Sequence, residues 1–174
     1  MLEKLDDIDW SKISHAYGPA TDVPGQLRAL AFGDQQQRQR ALWELHGNIW
    51  HQQTVYEASA FAVPFLIELV QNKIAQEDIL SLIALIAAGT SYLGVHGSLL
   101  RGEWTEEDQK KLENEQLWVD AAKRAVATHA ELFFTLMASS DQRIRELCIL
   151  ILGMIETLSD VTAPDVIDRI RGVD

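Results

Sequence analysis

Residues Asp34 to Val70 run DQQQRQRALWELHGNIWHQQTVYEASAFAVPFLIELV. The first part is one helix by pattern: Gly33 stops what precedes it, Asp34 is placed to cap, and Ala41, Leu42, Leu45 and Ile49 share one face to about Trp50. The second part has its own stripe, Ala58, Phe61, Ala62, Phe65, Leu66 and Leu69, at helical spacing. Pro64 lies inside that stripe; it lacks the amide proton that would bond the carbonyl of Ala60, so a kink or a split in two is expected there. Between the two lies WHQQTVYE, residues 50–57. Thr54 and Glu57 have the T-x-x-E spacing of a capping box, which makes the stretch a helix start first. Its polar and aromatic content also makes it a candidate contact surface.

The helical signal extends in both directions. A short helix is expected near Asp9–Ser14, then one opened by Asp22–Pro24 with Leu27, Leu30 and Ala31 inward. Downstream, Ala75–Ala88 ends at Gly89, and residues 90–104 form a loop rich in glycine and aromatics. Thr105 and Asp108 make a second capping box, opening a helix to about Ala138 with a break near Thr128–Ala130. Ser140 or Asp141 caps the next helix, to about Thr157, and a last one starts at Thr162–Asp165 and is closed by Gly172.

A motif recurs along this series. Asp34, Arg38, Ala41 and Leu45 follow D-x3-R-x2-A-x3-L; Asp141, Arg145, Cys148 and Leu152 repeat it with cysteine in the small slot. Glu77, Ser81, Ala84 and Ala88 form a degenerate middle copy without the arginine. The first spacing, Asp34 to Glu77, suits a helix-pair repeat, and the insertion around residues 90–110 accounts for the longer second one. The small residue lets neighbouring second helices approach closely, the Asp caps, and the Arg is expected to bridge to the adjacent repeat.

Paired helices with a proline-bearing first helix and D-x3-R-x2-A on the second resemble HEAT-like repeats. More narrowly, YGPATDVPGQLRAL, RQRALWELHGNIWHQQTVYEASAFAVPFLIEL and WVDAAKRAVATHAELFFTLMASSDQRIRELCILILG look like a group of small bacterial HEAT-repeat proteins. The resemblance covers most of residues 15–155 and implies a fold: all-α, a single domain over residues 1–174, a short right-handed α-solenoid of the HEAT/armadillo type with about three helix pairs and a capping helix at each end. It implies no catalytic residues.

Composition narrows the function classes. The net charge is −11; residues 1–87 carry 11 acidic and 6 basic side chains, residues 88–174 carry 15 and 9, so the excess is general. Such a surface repels nucleic acid and anionic membranes and suits a basic protein partner. Five tryptophans could stack bases, but the basic stripe that duplex binding needs is missing; Trp43 and Trp118 are expected in the core and Trp104 exposed. The N-terminus has no apolar signal segment, and the longest apolar runs, ILSLIALIAA (79–88) and LCILILGMI (147–155), are too short to cross a bilayer. Cys148 is the lone cysteine, so a reducing cytoplasmic setting and an inert core thiol are expected. The five histidines are scattered: His46 and His51 are five apart, there is no His-Glu-x-x-His, and neither a metal nor a cofactor is expected.

The candidate interaction residues are His51, Gln52, Tyr56 and Glu57 in the central stretch, and Trp104, Glu106, Glu107 and Asp108 where the acidic helix begins. The expected function is a non-enzymatic protein–protein interaction module, one concrete form being an acidic immunity or inhibitor protein that blocks a basic toxin. Two other readings stand beside it: a small-ligand or enzymatic site around His51, Tyr56 and Glu57, with His51 and Glu57 as an acid–base pair, and nucleic-acid binding, which the charge disfavours.

Overall fold

The computed structural model describes residues 1–97 and 104–156, and these are mostly helical. The expected final helix from Thr162 lies outside them. In order come two 3-10 turns, Glu3–Asp7 and Trp10–Lys12; a small antiparallel hairpin of β1 (Ser14–His15) and β2 (Gly18–Pro19); helices α1 (Val23–Phe32) and α2 (Gln35–Asn48); and a second hairpin of β3 (Trp50–His51) and β4 (Thr54–Val55). Helices α3 (Glu57–Gln71), α4 (Gln76–Ala88), α5 (Tyr92–His96), α6 (Glu106–Ala127), α7 (Ala130–Leu136) and α8 (Gln142–Glu156) follow. The expected helix near Asp9–Ser14 is therefore only a single 3-10 turn, because Ser14 and His15 pair with Gly18 and Pro19 instead.

The helix limits follow local chemistry. Asp34 accepts from the Gln37 amide at 2.9 Å while the Gln37 side chain accepts from the Asp34 amide, also at 2.9 Å. Thr105 and Asp108 make the same reciprocal pair at α6, and Asp141 Oδ1 accepts from the Arg143 amide at 2.8 Å to start α8. Helix α3 runs unbroken through Pro64. Pro64 stands on the exposed side, so the carbonyl of Ala60 that it leaves unbonded is on the side water can reach.

Packing pairs α1 with α2, α3 with α4 and α7 with α8, while α6 lies along α3 and α8 lies along α4. The buried hydrophobic side chains, Leu93 apart, form one contiguous cluster from Leu2 to Ile155. The small residues of the recurring motif, Ala41, Ala84 and Cys148, are all buried in it. Burial pushes the Cys148 thiol up to about 12, so it stays protonated.

Three packing expectations change. Trp43 is 77% exposed: the buried positions of α2 are Ala41, Leu45 and Asn48, and a residue two places from Ala41 lies on the opposite side of a 3.6-residue turn. Trp118 is only half-buried, at the flank of the stripe Glu115, Val119, Ala122 and Val126. Phe61 likewise flanks the α3 stripe, exposed on one side and edge-on to Trp10. The motif arginines serve their own turns: Arg38 donates to the carbonyl of Ala31 at 3.4 Å and Arg145 to that of Ser139 at 2.7 Å. An ion pair does join neighbouring helices on the surface, between Arg143 and Glu77, 3.6 Å apart.

Candidate functional site

The stretch WHQQTVYE is a hairpin rather than a capping box. Trp50 pairs with Val55 and His51 with Thr54, leaving Gln52 and Gln53 as a two-residue turn. Both glutamines have positive φ, 49° and 70°, the conformation of a tight hairpin turn that glycine or asparagine usually fills. Each such non-glycine residue costs about 1–2 kcal/mol. Thr54 is buried in the strand, its hydroxyl without a hydrogen-bond partner among the described residues, so it does not cap α3. That role falls to Ser59, whose Oγ accepts from the Tyr56 amide at 2.8 Å and donates to the Ile49 carbonyl at 2.5 Å, closing the base of the hairpin.

The hairpin is fastened on its other side too. The Val55 amide donates to the Thr90 carbonyl at 3.1 Å and the Thr90 amide to the Gln53 carbonyl at 2.9 Å. Gly89 permits this approach, because a Cβ there would collide with the Val55 side chain. Glu57 is also engaged: Oε2 accepts from the amide and the hydroxyl of Ser14, at 3.0 and 3.1 Å. The first turn of α3 thus holds the first hairpin, which the Asn48 carbonyl grips from α2 by accepting from the Ala16 amide at 3.0 Å.

These ties bring together residues far apart in sequence. Tyr17, at the tip of the first hairpin, packs edge-on to His51 with ring centroids 5.6 Å apart, its hydroxyl 3.5 Å from Nδ1. Tyr92 opens α5 and lies against His96, centroids 4.7 Å apart. Tyr56 is half-buried, at the end of the hairpin that Thr90 fastens next to α5. Burial is the main force pushing its phenol up to about 12, and Tyr17, Tyr92 and Glu115 add to it by disfavouring a phenolate. All three tyrosines of the chain therefore converge, each from a different connection: that before α1, that between α2 and α3, and that between α4 and α6.

Glu115 is buried from α6 and accepts from the Leu93 amide at 2.7 Å, anchoring α5 beneath this edge. Nε2 of His96 is buried without a partner among the described residues. Trp104 is half-exposed and stacks against Gly97, where a Cβ would meet its ring. Of the other predicted residues, Gln52 is exposed at the hairpin tip, Glu106 and Glu107 are exposed on the first turn of α6, and Asp108 is spent on its cap. The bond to Thr105 holds the Asp108 carboxyl below its ordinary value. His51 and Glu57 do not form an acid–base pair: one faces Tyr17 and the other Ser14. Among the described residues no three His, Cys, Asp or Glu side chains come together as a metal site, and no helix is long and apolar enough to cross a membrane.

The raised Tyr56 phenol fixes a sign. Its folded value lies above the ordinary 10.0, so the stability it contributes is fully present below about pH 10 and is lost as the pH rises toward 12. Urea unfolding between pH 9 and 12 should show this decline, and Tyr56→Phe should flatten it.

Sequence reasoning picked out His51 and Tyr56 but not Tyr17, whose meeting with His51 depends on packing, and it read the segment that carries Tyr92 and His96, helix α5, as a loop. No protein-family model matches the chain, and neither a curated protein nor a solved structure matches it.

Proposed function

We propose that the chain is a non-enzymatic protein-interaction module, a short HEAT-like α-solenoid that binds a basic protein segment along the edge carrying Tyr17, His51, Tyr56 and Tyr92. One observation carries this reading: three connections each deliver a tyrosine to the same edge. Tyrosine and tryptophan dominate the energetics of protein interfaces, because a rigid ring offers contact area and a polar end at small entropic cost. Their π faces attract Arg and Lys. The net charge of −11, with Glu106 and Glu107 exposed on the neighbouring helix start, favours a cationic partner and gives fast, salt-sensitive association. The stacking of α3 on α6 and of α4 on α8 supports the solenoid reading, and the buried lone cysteine suits the cytoplasm. Inhibition of a basic toxin is one concrete form such a module takes.

The test is affinity capture followed by titration of the purified captured protein. Wild type is compared with a Tyr17→Ala/His51→Ala/Tyr92→Ala variant whose fold is checked by circular dichroism. A basic protein bound by wild type and weakened about 30-fold or more in the variant is the expected result. Equal binding by both would move the interface elsewhere, and preferential capture of nucleic acid would overturn the reading.

A further inference from the structure

The segment that precedes the first hairpin is fastened to α3 at both of its ends. At one end the Leu2 amide donates to both carboxylate oxygens of Glu68, at 3.1 and 3.0 Å. At the other, Ser14 is held by Glu57. Between these ties Trp10 is buried, with its ring centroid 6.5 Å from that of Phe61 and 6.4 Å from that of Phe65. Its indole Nε1 donates to the Leu5 carbonyl at 2.9 Å, which fixes the ring. Glu57, Phe61, Pro64 and Glu68 recur at helical spacing, so both ties and the apolar residues between them share one face of α3.

The segment does not cover that face completely. A groove of about 640 Å³ remains between the first 3-10 turn and α3. Its apolar lining includes Ile8, Phe61, Pro64 and Phe65. Phe61 is 41% exposed and Pro64 is exposed beside it, so part of this apolar lining meets water. The volume falls in the range of about 300–1,000 Å³ that small-molecule sites occupy. An aromatic ring laid in the groove would extend the cluster of Trp10, Phe61 and Phe65 and take their exposed surface out of water.

The charged lining decides what such a ring should carry. Glu3, Asp7 and Glu68 are acidic and Lys4 is basic. Glu68 is occupied by the Leu2 amide and by the Met1 amine 3.8 Å away. Glu3, Lys4 and Asp7 are exposed and make no side-chain hydrogen bond or ion pair among the described residues. Two free carboxylates against one free ammonium leave the groove negative, in a chain whose net charge is −11. A cation is attracted there and a carboxylate repelled.

We propose that this groove binds a small organic cation, an arylalkyl ammonium, with its ring against Phe61 and Pro64 and its amine paired with Glu3 or Asp7. A lysine side chain has the amine but no ring to lay on Phe61, so the occupant is a free small molecule and not a protein side chain. The assignment goes beyond the protein partner proposed above and does not depend on it.

The probes are three molecules of one shape and different charge: 3-phenylpropylammonium, 3-phenylpropanol and 3-phenylpropionate. Each is titrated into the isotope-labelled chain, with the Trp10 indole N–H and the Phe61 amide as reporters. The ammonium should shift both signals saturably, the alcohol should bind about threefold more weakly, and the carboxylate at least about tenfold more weakly. Butylammonium, which has the lysine head without a ring, should also be at least about tenfold weaker. Glu3→Gln/Asp7→Asn should bring the ammonium down to the level of the alcohol, and Phe61→Ala should weaken ammonium and alcohol alike. These side chains are exposed, and amide dispersion reports that each variant is folded. Equal binding of the ammonium and the carboxylate, or of the ammonium and butylammonium, would overturn the site. So would shifts that never saturate, that map away from Trp10 and Phe61, or that persist unchanged in both folded variants.

Discussion

Ser59→Ala should cost about 2–4 kcal/mol, far more than loss of an exposed hydroxyl. Ser59 is fully buried and serves two backbone groups, accepting from the Tyr56 amide and donating to the Ile49 carbonyl. Alanine leaves both without that partner, each at a desolvation cost of about 1–3 kcal/mol. The two groups flank the hairpin that carries His51, so the change should also loosen the tyrosine edge. Urea unfolding gives the first quantity, and faster hydrogen exchange at the Tyr56 amide gives the second. A loss below about 0.5 kcal/mol would mean that water replaces the hydroxyl at little cost.

Phe133→Ala should be the more damaging change, about 3–5 kcal/mol. Phe133 is a large fully buried side chain on α7, the short helix that packs on α8. Truncation removes apolar surface and leaves a cavity that a close-packed interior closes only in part. Phe133→Leu, which fills much of that volume, should cost less than half as much. The comparison by denaturant midpoint separates cavity formation from a general intolerance of substitution.

What the sequence made legible was governed by local chemistry. Asp34 and Thr105 cap because the partners they need, Gln37 and Asp108, are three residues away. Helices α1, α2, α4 and α6 follow the apolar period, with Gly33 and Gly89 as stops. The break between α6 and α7 falls where the pattern weakens, around Thr128 and His129.

The hairpins were hidden because their strands are two residues long and the turn of the second is Gln-Gln, without the Asn-Gly signal that marks such turns. The T-x-x-E spacing of Thr54 and Glu57 was a coincidence, since Thr54 lies in a strand and Glu57 reaches back 43 positions to Ser14. Trp43 was drawn inward by its size, against the phase of its own helix. The tyrosine edge was beyond pattern reading, because Tyr17 meets His51 only once α1, α2 and α3 are packed.

That no single segment contains the tyrosine edge has a mechanical consequence. A peptide excised from any one connection carries one of the three rings, so only the assembled helices present the surface. A partner lying across all three would act as an external strap. It would tie α1–α2, α3–α4 and α6 at fixed spacing, and its free energy of binding would add to the stability of the contacts between them. Recognition and mechanical cohesion would then be one property of this fold, and a partner that slips by one connection would lose both together.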